Sequence, residues 1–399
     1  MLTNADLLRL AEPLEAVYAD AGTSLLINAA GFFDDIKGIT PDEWRMRMLA
    51  QIGRLTDESI EIIASATGVA PDMLKKALED AAKMELKDVD AVLANAVKAG
   101  KISAPVVGAA TDTRVYQAIQ ALALQAGERL SLVNSTMLSS TLQAYVSAVN
   151  VGYAEAAAVL NAAATGTAIG IDSLRSAVRK SIKQLGDLGI AGYVDSAGRN
   201  WTPEAYVNMV VRTTTHNAAI QATVAEAADY GVEVFQVSSH NGARPLCAPY
   251  QGKFYTWGST GGVVHDLYGG EYRYEPISAT SYGEPAGLFG INCGHRPIPF
   301  VDGFSVPAST AWELDTPEKR EENAHAYRLS QQQREMERSV RAEREKAATY
   351  KAAGMNAEYK AAMDRVRDKM TAYEDFCDDN GVTPRRERTE IVFYKGRGK

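Results

Sequence analysis

The stretch from Ser238 to Gly303 limits most sharply what this chain can fold into. It holds two of the three cysteines and three of the five histidines of the 399-residue sequence. His240 and Cys247 form one loose pair, Cys293 and His295 a tight C-x-H pair, with about 45 residues between the pairs. Tetrahedral metal sites are commonly built from two ligand pairs on two turns, and thiolate with imidazole suits zinc. Gly and Pro crowd both pairs, which lets the backbone turn tightly around a small centre. Two other readings stay open. The cysteines can be buried small apolar residues beside ordinary loop histidines, or they can form a disulfide. Neither pair has the usual C-x₂₋₄-C or H-x₃₋₅-H spacing.

Elements around the pairs follow from local pattern. Val232 to Val237 alternates and is β-branched, so a strand delivers His240 to its loop. Lys253 to Trp257 reads as a second strand and Pro297 to Phe300 as a last short one. Gly258 to Gly270 reads as a Gly-rich loop containing His265, without the Gly-Lys-Ser/Thr ending of a phosphate loop. A sheet this small cannot build a large core, and a bound metal would substitute for one.

The same residues carry a resemblance. The run Ser238-Ser239-His240-Asn241-Gly242-Ala243-Arg244-Pro245-Leu246-Cys247-Ala248-Pro249-Tyr250-Gln251-Gly252-Lys253 and the run Gly287-Leu288-Phe289-Gly290-Ile291-Asn292-Cys293-Gly294-His295-Arg296-Pro297 resemble the signature of the phage minor capsid protein 2 family. That family is related to the Mu-F-like head-morphogenesis proteins. Val210-Val211-Arg212-Thr213-Thr214-Thr215 on a helix upstream is similar to the family's Arg-Thr helix. The resemblance is best over residues 170–305. It implies a minor virion protein facing the capsid interior at or near the portal vertex, serving head assembly, DNA packaging or ejection. Implied partners are the portal and/or major capsid protein, with multiple copies per virion. Where the wider set tends to have cysteines, this chain has His240 and His295, a change that keeps ligand chemistry.

The remaining chain reads as α+β, predominantly helical. Residues 1–110 form a module of short helices, 111–310 a core with the small β module at 232–303, and 311–399 a charged helical hairpin with a basic tail. Thr40-Pro41-Asp42-Glu43 is a helix start, with a capping hydroxyl, Pro in the first turn and acids at the positive end of the dipole. Between Arg129 and Asp172 the only charged residue is Glu155. A helix so neutral is either core or a subunit interface. Leu142 and Val149 lie on its apolar positions. Tyr359, Met363, Val366, Met370, Tyr373 and Cys377 make a heptad-like stripe too short for a long coiled coil, which favours a hairpin. The tail from Lys395 to Lys399 is basic and reads either as a contact with packaged DNA or as a solubilising end.

Composition excludes several classes. A net charge of −8 and a pI near 5.4 argue against a whole-molecule grip on nucleic acid. The low cysteine count suits a reducing compartment, the host cytoplasm during assembly. No basic-then-apolar leader opens the chain and no run of 18 apolar residues is present, so neither a signal peptide nor a membrane span is expected. A zinc enzyme and a toxin-type effector are the alternatives. The His-Glu-x-x-His and deaminase motifs are both missing, and no nucleophile, base and orienter assemble in 316–399. No catalytic residue is assigned. The candidate site is the metal set His240, Cys247, Cys293 and His295.

Overall fold

The computed structural model describes residues 2–33, 39–104, 109–162, 171–308 and 316–391. The helices among them are α1 (Asn4–Gly31), α2 (Pro41–Ala50), α3 (Ile52–Thr67), α4 (Ala70–Lys98), α5 (Ala109–Ala162), α6 (Ile171–Leu188), α7 (Pro203–Asp229), α8 (Pro317–Ala352) and α9 (Asn356–Asp379). The strands are β1 (Tyr193–Val194), β2 (Asn200–Trp201), β3 (Val234–Val237), β4 (Phe254–Thr256), β5 (Gly262–His265), β6 (Glu271–Pro276) and β7 (Pro297–Pro299). The class is α+β, mostly helical, as the sequence implies. The basic tail, residues 392–399, lies outside the described residues.

Capping chemistry sets the helix starts. The Glu43 N–H donates to the Thr40 hydroxyl at 3.2 Å and the Thr40 N–H donates to the Glu43 carboxylate at 2.8 Å. This capping box, with Pro41 behind it, opens α2. Thr316 similarly accepts the Lys319 N–H at 3.3 Å where α8 begins. Of the N-terminal helices α2, with 10 residues, is short as expected, but α1 and α4 are not. α1 runs 28 residues through Pro13, and α4 runs 29. Beyond Pro13 the buried stripe Leu14, Val17, Tyr18, Ala21 and Leu25 continues the helix. Its burial outweighs the ~3 kcal/mol that an interior proline costs a helix.

Two compact units share the chain. One comprises Met1–Pro13, Pro71–Arg129 and Asn208–Gln331; the other comprises Leu14–Ala70, Leu130–Val207 and Gln332–Lys399. Several divisions fall inside long helices, so α1, α5, α7 and α8 each contribute to both.

The first unit carries a five-stranded sheet in the order β5-β6-β4-β3-β7, antiparallel except for the parallel pair β4 and β6. One apolar cluster unites Ile220 of α7 with Phe235, Val237, Tyr255, Ile277, Leu288 and Phe289. Another unites Phe254, Val264 and Phe300. The segment expected as a Gly-rich loop thus contains strand β5 and leads into β6. Gly261 and Gly262 are needed there because a Cβ would meet Tyr274 at 2.8 and 2.6 Å.

The second unit is helical apart from the β1–β2 hairpin. Trp44, Met48, Leu55, Tyr145 and Val149 are buried in it, and the Tyr145 hydroxyl donates to the Met48 carbonyl at 3.0 Å. At Gly152 a Cβ would lie 2.1 Å from Ser181 Oγ and 2.8 Å from the Trp44 ring, so α5, α6 and Trp44 meet at a point only glycine fits. The last stretch of α8 runs antiparallel to α9: Gln333 donates to the Tyr373 hydroxyl at 3.3 Å and Arg365 to Glu343 at 2.9 Å. Val366, Tyr373 and Cys377 of the expected α9 stripe are buried, but earlier in the helix Ala362 is fully buried while Met363 is 39% exposed. Arg341 lies 3.9 Å from Glu15 and 3.5 Å from Glu204, and the neighbouring Glu345 carboxyl is pushed up to about 8 by burial and by Glu204.

Candidate metal centre

Pairing of β3 with β7 brings the histidines together. Their antiparallel register sets Val237 opposite Pro297. The ladder continues one step, with the Ser238 N–H donating to the Arg296 carbonyl at 3.0 Å and the Arg296 N–H to Ser238 Oγ at 3.0 Å. His240 and His295 therefore leave the sheet side by side, with ring centroids 4.4 Å apart.

Cys247 sits on the excursion between β3 and β4. The chain folds back on itself through Cys247 N–H to Arg244 carbonyl at 2.9 Å and Tyr250 N–H to Cys247 carbonyl at 3.1 Å. It rejoins the ladder where the Gly252 N–H donates to Val237 at 2.9 Å. One residue on α8 holds this loop with two hydrogen bonds. Asn323 accepts the Ala243 N–H at 2.9 Å and donates to the Ala243 carbonyl at 2.8 Å.

Cys293 is presented by a tight loop in which Phe289 and Asn292 take left-handed conformations, φ 60° and 55°. Non-glycine residues there carry strain that the surroundings must compensate. Helix α7 supplies part of it: the Asn292 N–H donates to Thr213 Oγ1 at 3.1 Å, and His216 Nδ1 lies 3.4 Å from the Cys293 carbonyl. The Phe289 N–H points at Cys293 Sγ at 3.2 Å. Ser281 ties the two cysteine loops by donating to the Leu246 carbonyl at 2.6 Å and accepting the Leu288 N–H at 3.0 Å.

The result is a buried cluster. Cys247 Sγ and Cys293 Sγ are 3.9 Å apart, and Cys293 Sγ is 3.4 Å from His295 Nδ1. Ligand atoms of Cys247, Cys293 and His295 all lie within 4.8 Å of one another. Zinc bonds of about 2.3 Å to sulfur and 2.0 Å to nitrogen would place tetrahedral S–S and S–N edges at roughly 3.8 and 3.5 Å. His240 borders the group with its Nε2 buried and without a hydrogen-bond partner. Cys247, Cys293 and His295 have the spacing of zinc donors, and His240 stands beside that group, outside its 4.8 Å span. Both cysteines are free, so the disulfide alternative is not formed here.

Electrostatics favours one thiolate. Cys293 is held well below the usual thiol range, first by the hydrogen bond from Cys247 and then by His295. Cys247 is pushed up in return, chiefly because it keeps the shared proton. Burial depresses His240, and it lowers the fully enclosed His216 to about 4.

Sequence reasoning singled out four residues, of which Cys247, Cys293 and His295 come together and His240 borders them. It missed their supports, Thr213, Gln251, Ser281 and Asn323, whose partners are remote in sequence. His216 on α7 is buried and packs against the Cys293 backbone. His265 stands apart, half exposed and 3.2 Å from Asp302.

An α+β protein with a closed Cys/His cluster at the end of a small sheet is the class this fold defines. The family model for phage minor capsid protein 2 matches residues 2–378, and the chain belongs to that family. A curated relative, described as a structural protein of Lactococcus phage LL-H, is 27% identical over 336 residues, covering 77% of this chain and 80% of that protein. No solved structure matches. Among the described residues no helix is long and apolar enough to cross a membrane.

Proposed function

We propose that the protein is a minor structural component of a phage head, facing the capsid interior at or near the portal vertex and supporting head assembly, DNA packaging or ejection. The observation that carries this reading is the family match across nearly the whole chain. The structural relative from phage LL-H supports it, and so does the acidic balance, since a body of net charge −8 would not adhere to packaged DNA. The portal and/or major capsid protein are the partners in this reading.

His240, Cys247, Cys293 and His295 would hold a structural zinc ion. Four protein donors leave no position for water, so such an ion clasps loops and does not activate a nucleophile. The residues' own work is to bring three chain segments to one point. No catalytic constellation accompanies them in this reading.

The test is to treat purified phage with a protease before and after the heads are opened, and to cross-link intact particles. The chain should resist digestion until the heads open and should cross-link to the portal or major capsid protein. Digestion in intact particles, or cross-links to tail proteins alone, would sink the interior placement.

A further inference from the structure

We propose that Gln251 fixes which nitrogen of His295 faces the sulfurs, and so sets one donor atom of the centre while tying the His240 loop to it; the inference rests on the zinc reading above. Gln251 is 1% exposed and stands where the Cys247 loop returns to the sheet. Its Oε1 lies 2.7 Å from the His240 backbone nitrogen and 3.0 Å from His295 Nε2. A backbone N–H can only donate. Turning the amide over would set its NH₂ against that N–H, donor against donor, so the oxygen must face this way.

The His295 tautomer then follows. An amide oxygen cannot donate, so the neutral His295 ring carries its proton on Nε2 and leaves the Nδ1 lone pair, 3.4 Å from Cys293 Sγ, for a metal. On the His240 side, Nδ1 lies 3.0 Å from the Asn241 carbonyl, again an acceptor. The proton sits on Nδ1, and the unpartnered buried Nε2 is left as a donor atom for a metal. One oxygen thus ties the two histidine loops and orients one ring, while the other ring is set by its own backbone. Outer partners of this kind typically change metal affinity 10–100-fold when removed.

The test uses the full chain, its Gln251→Leu variant, which removes the acceptor, and Gln251→Glu, which keeps one. Long-range ¹H–¹⁵N spectra of reduced, metal-free protein read the histidine tautomers, and competition with a chromogenic chelator reads affinity for zinc. His295 should be protonated at Nε2 in the parent and in Gln251→Glu and should become a mixture in Gln251→Leu. Zinc affinity should fall about 10–100-fold in the Leu variant alone. An unchanged tautomer with affinity within about twofold of the parent in Gln251→Leu overturns the proposal. Should that variant not fold, Gln251→Glu decides: retained affinity and tautomer support the acceptor role, and loss of both overturns it. A parent that takes up no zinc defeats the metal reading by itself, and the tautomer comparison still decides the role of Gln251.

Discussion

At Gly287 a Cβ would lie 1.9 Å from the Ser281 carbonyl oxygen. That oxygen belongs to backbone, so it cannot swing away as a side chain could. The Gly287 carbonyl in turn faces Cys247 Sγ at 3.4 Å. Gly287→Ala should destabilise the first unit by about 3 kcal/mol, read as a lower urea midpoint. It should also open Cys247 to thiol reagents before global unfolding; a normal midpoint with a protected thiol would count against the tight packing. Cys293→Ser asks the complementary question. It should abolish stoichiometric zinc in the purified protein and lower the melting of residues 232–303, whereas unchanged melting with no metal in either form would reject the clasp. At this scale the candidate ligands stood out because Cys and His are rare and sit among turn residues. Their supports did not. Thr213, Gln251 and Asn323 are ordinary polar residues whose meaning comes from partners 11 to 80 positions away.

Among the elements, those whose punctuation is chemical were readable in advance. Thr40-Pro41 opened a helix as expected, Thr316-Pro317 opens α8 in the same way, and Gly354 with Met355 separates α8 from α9. Strands β5 and β6 were not, since glycines that make room for Tyr274 look, in sequence, like loop residues. The helix pattern also hid a charge problem. Glu345 of α8 faces Glu204 of α7 and Arg341 of its own helix, with Glu15 of α1 across the arginine. Its carboxyl titrates near 8 in the fold against 4.5 when unperturbed, so folding takes up a proton. The stability this supplies is full below pH 4.5 and drains away as the pH rises toward 8. The slope is at most ~1.4 kcal/mol per pH unit for one proton. Urea midpoints between about pH 5 and 8 should therefore fall less steeply in Glu345→Gln than in the parent. Parallel profiles would show that the carboxyl stays ionised.

For the whole molecule, the neutral character of the described residues 130–158 divides into core and surface. Val149 is fully buried, so a charge there would test folding. Leu142 is half exposed, beside Val146, Val151 and Ala154 in a shallow apolar groove of α5. Leu142→Glu should leave the melting of the purified chain within about 0.5 kcal/mol and should lower its copy number in assembled heads, counted by quantitative mass spectrometry. Normal incorporation would argue against a subunit contact through this face. The interleaving of the two units has a further consequence, for synthesis. Gln331 closes the first unit, and the second also needs residues from 332 onward. Neither can finish folding while the ribosome is still making the middle of the chain. Nascent chains would hold long apolar helix faces unpaired until late in translation, and a premature stop anywhere before the last helices would yield neither half intact.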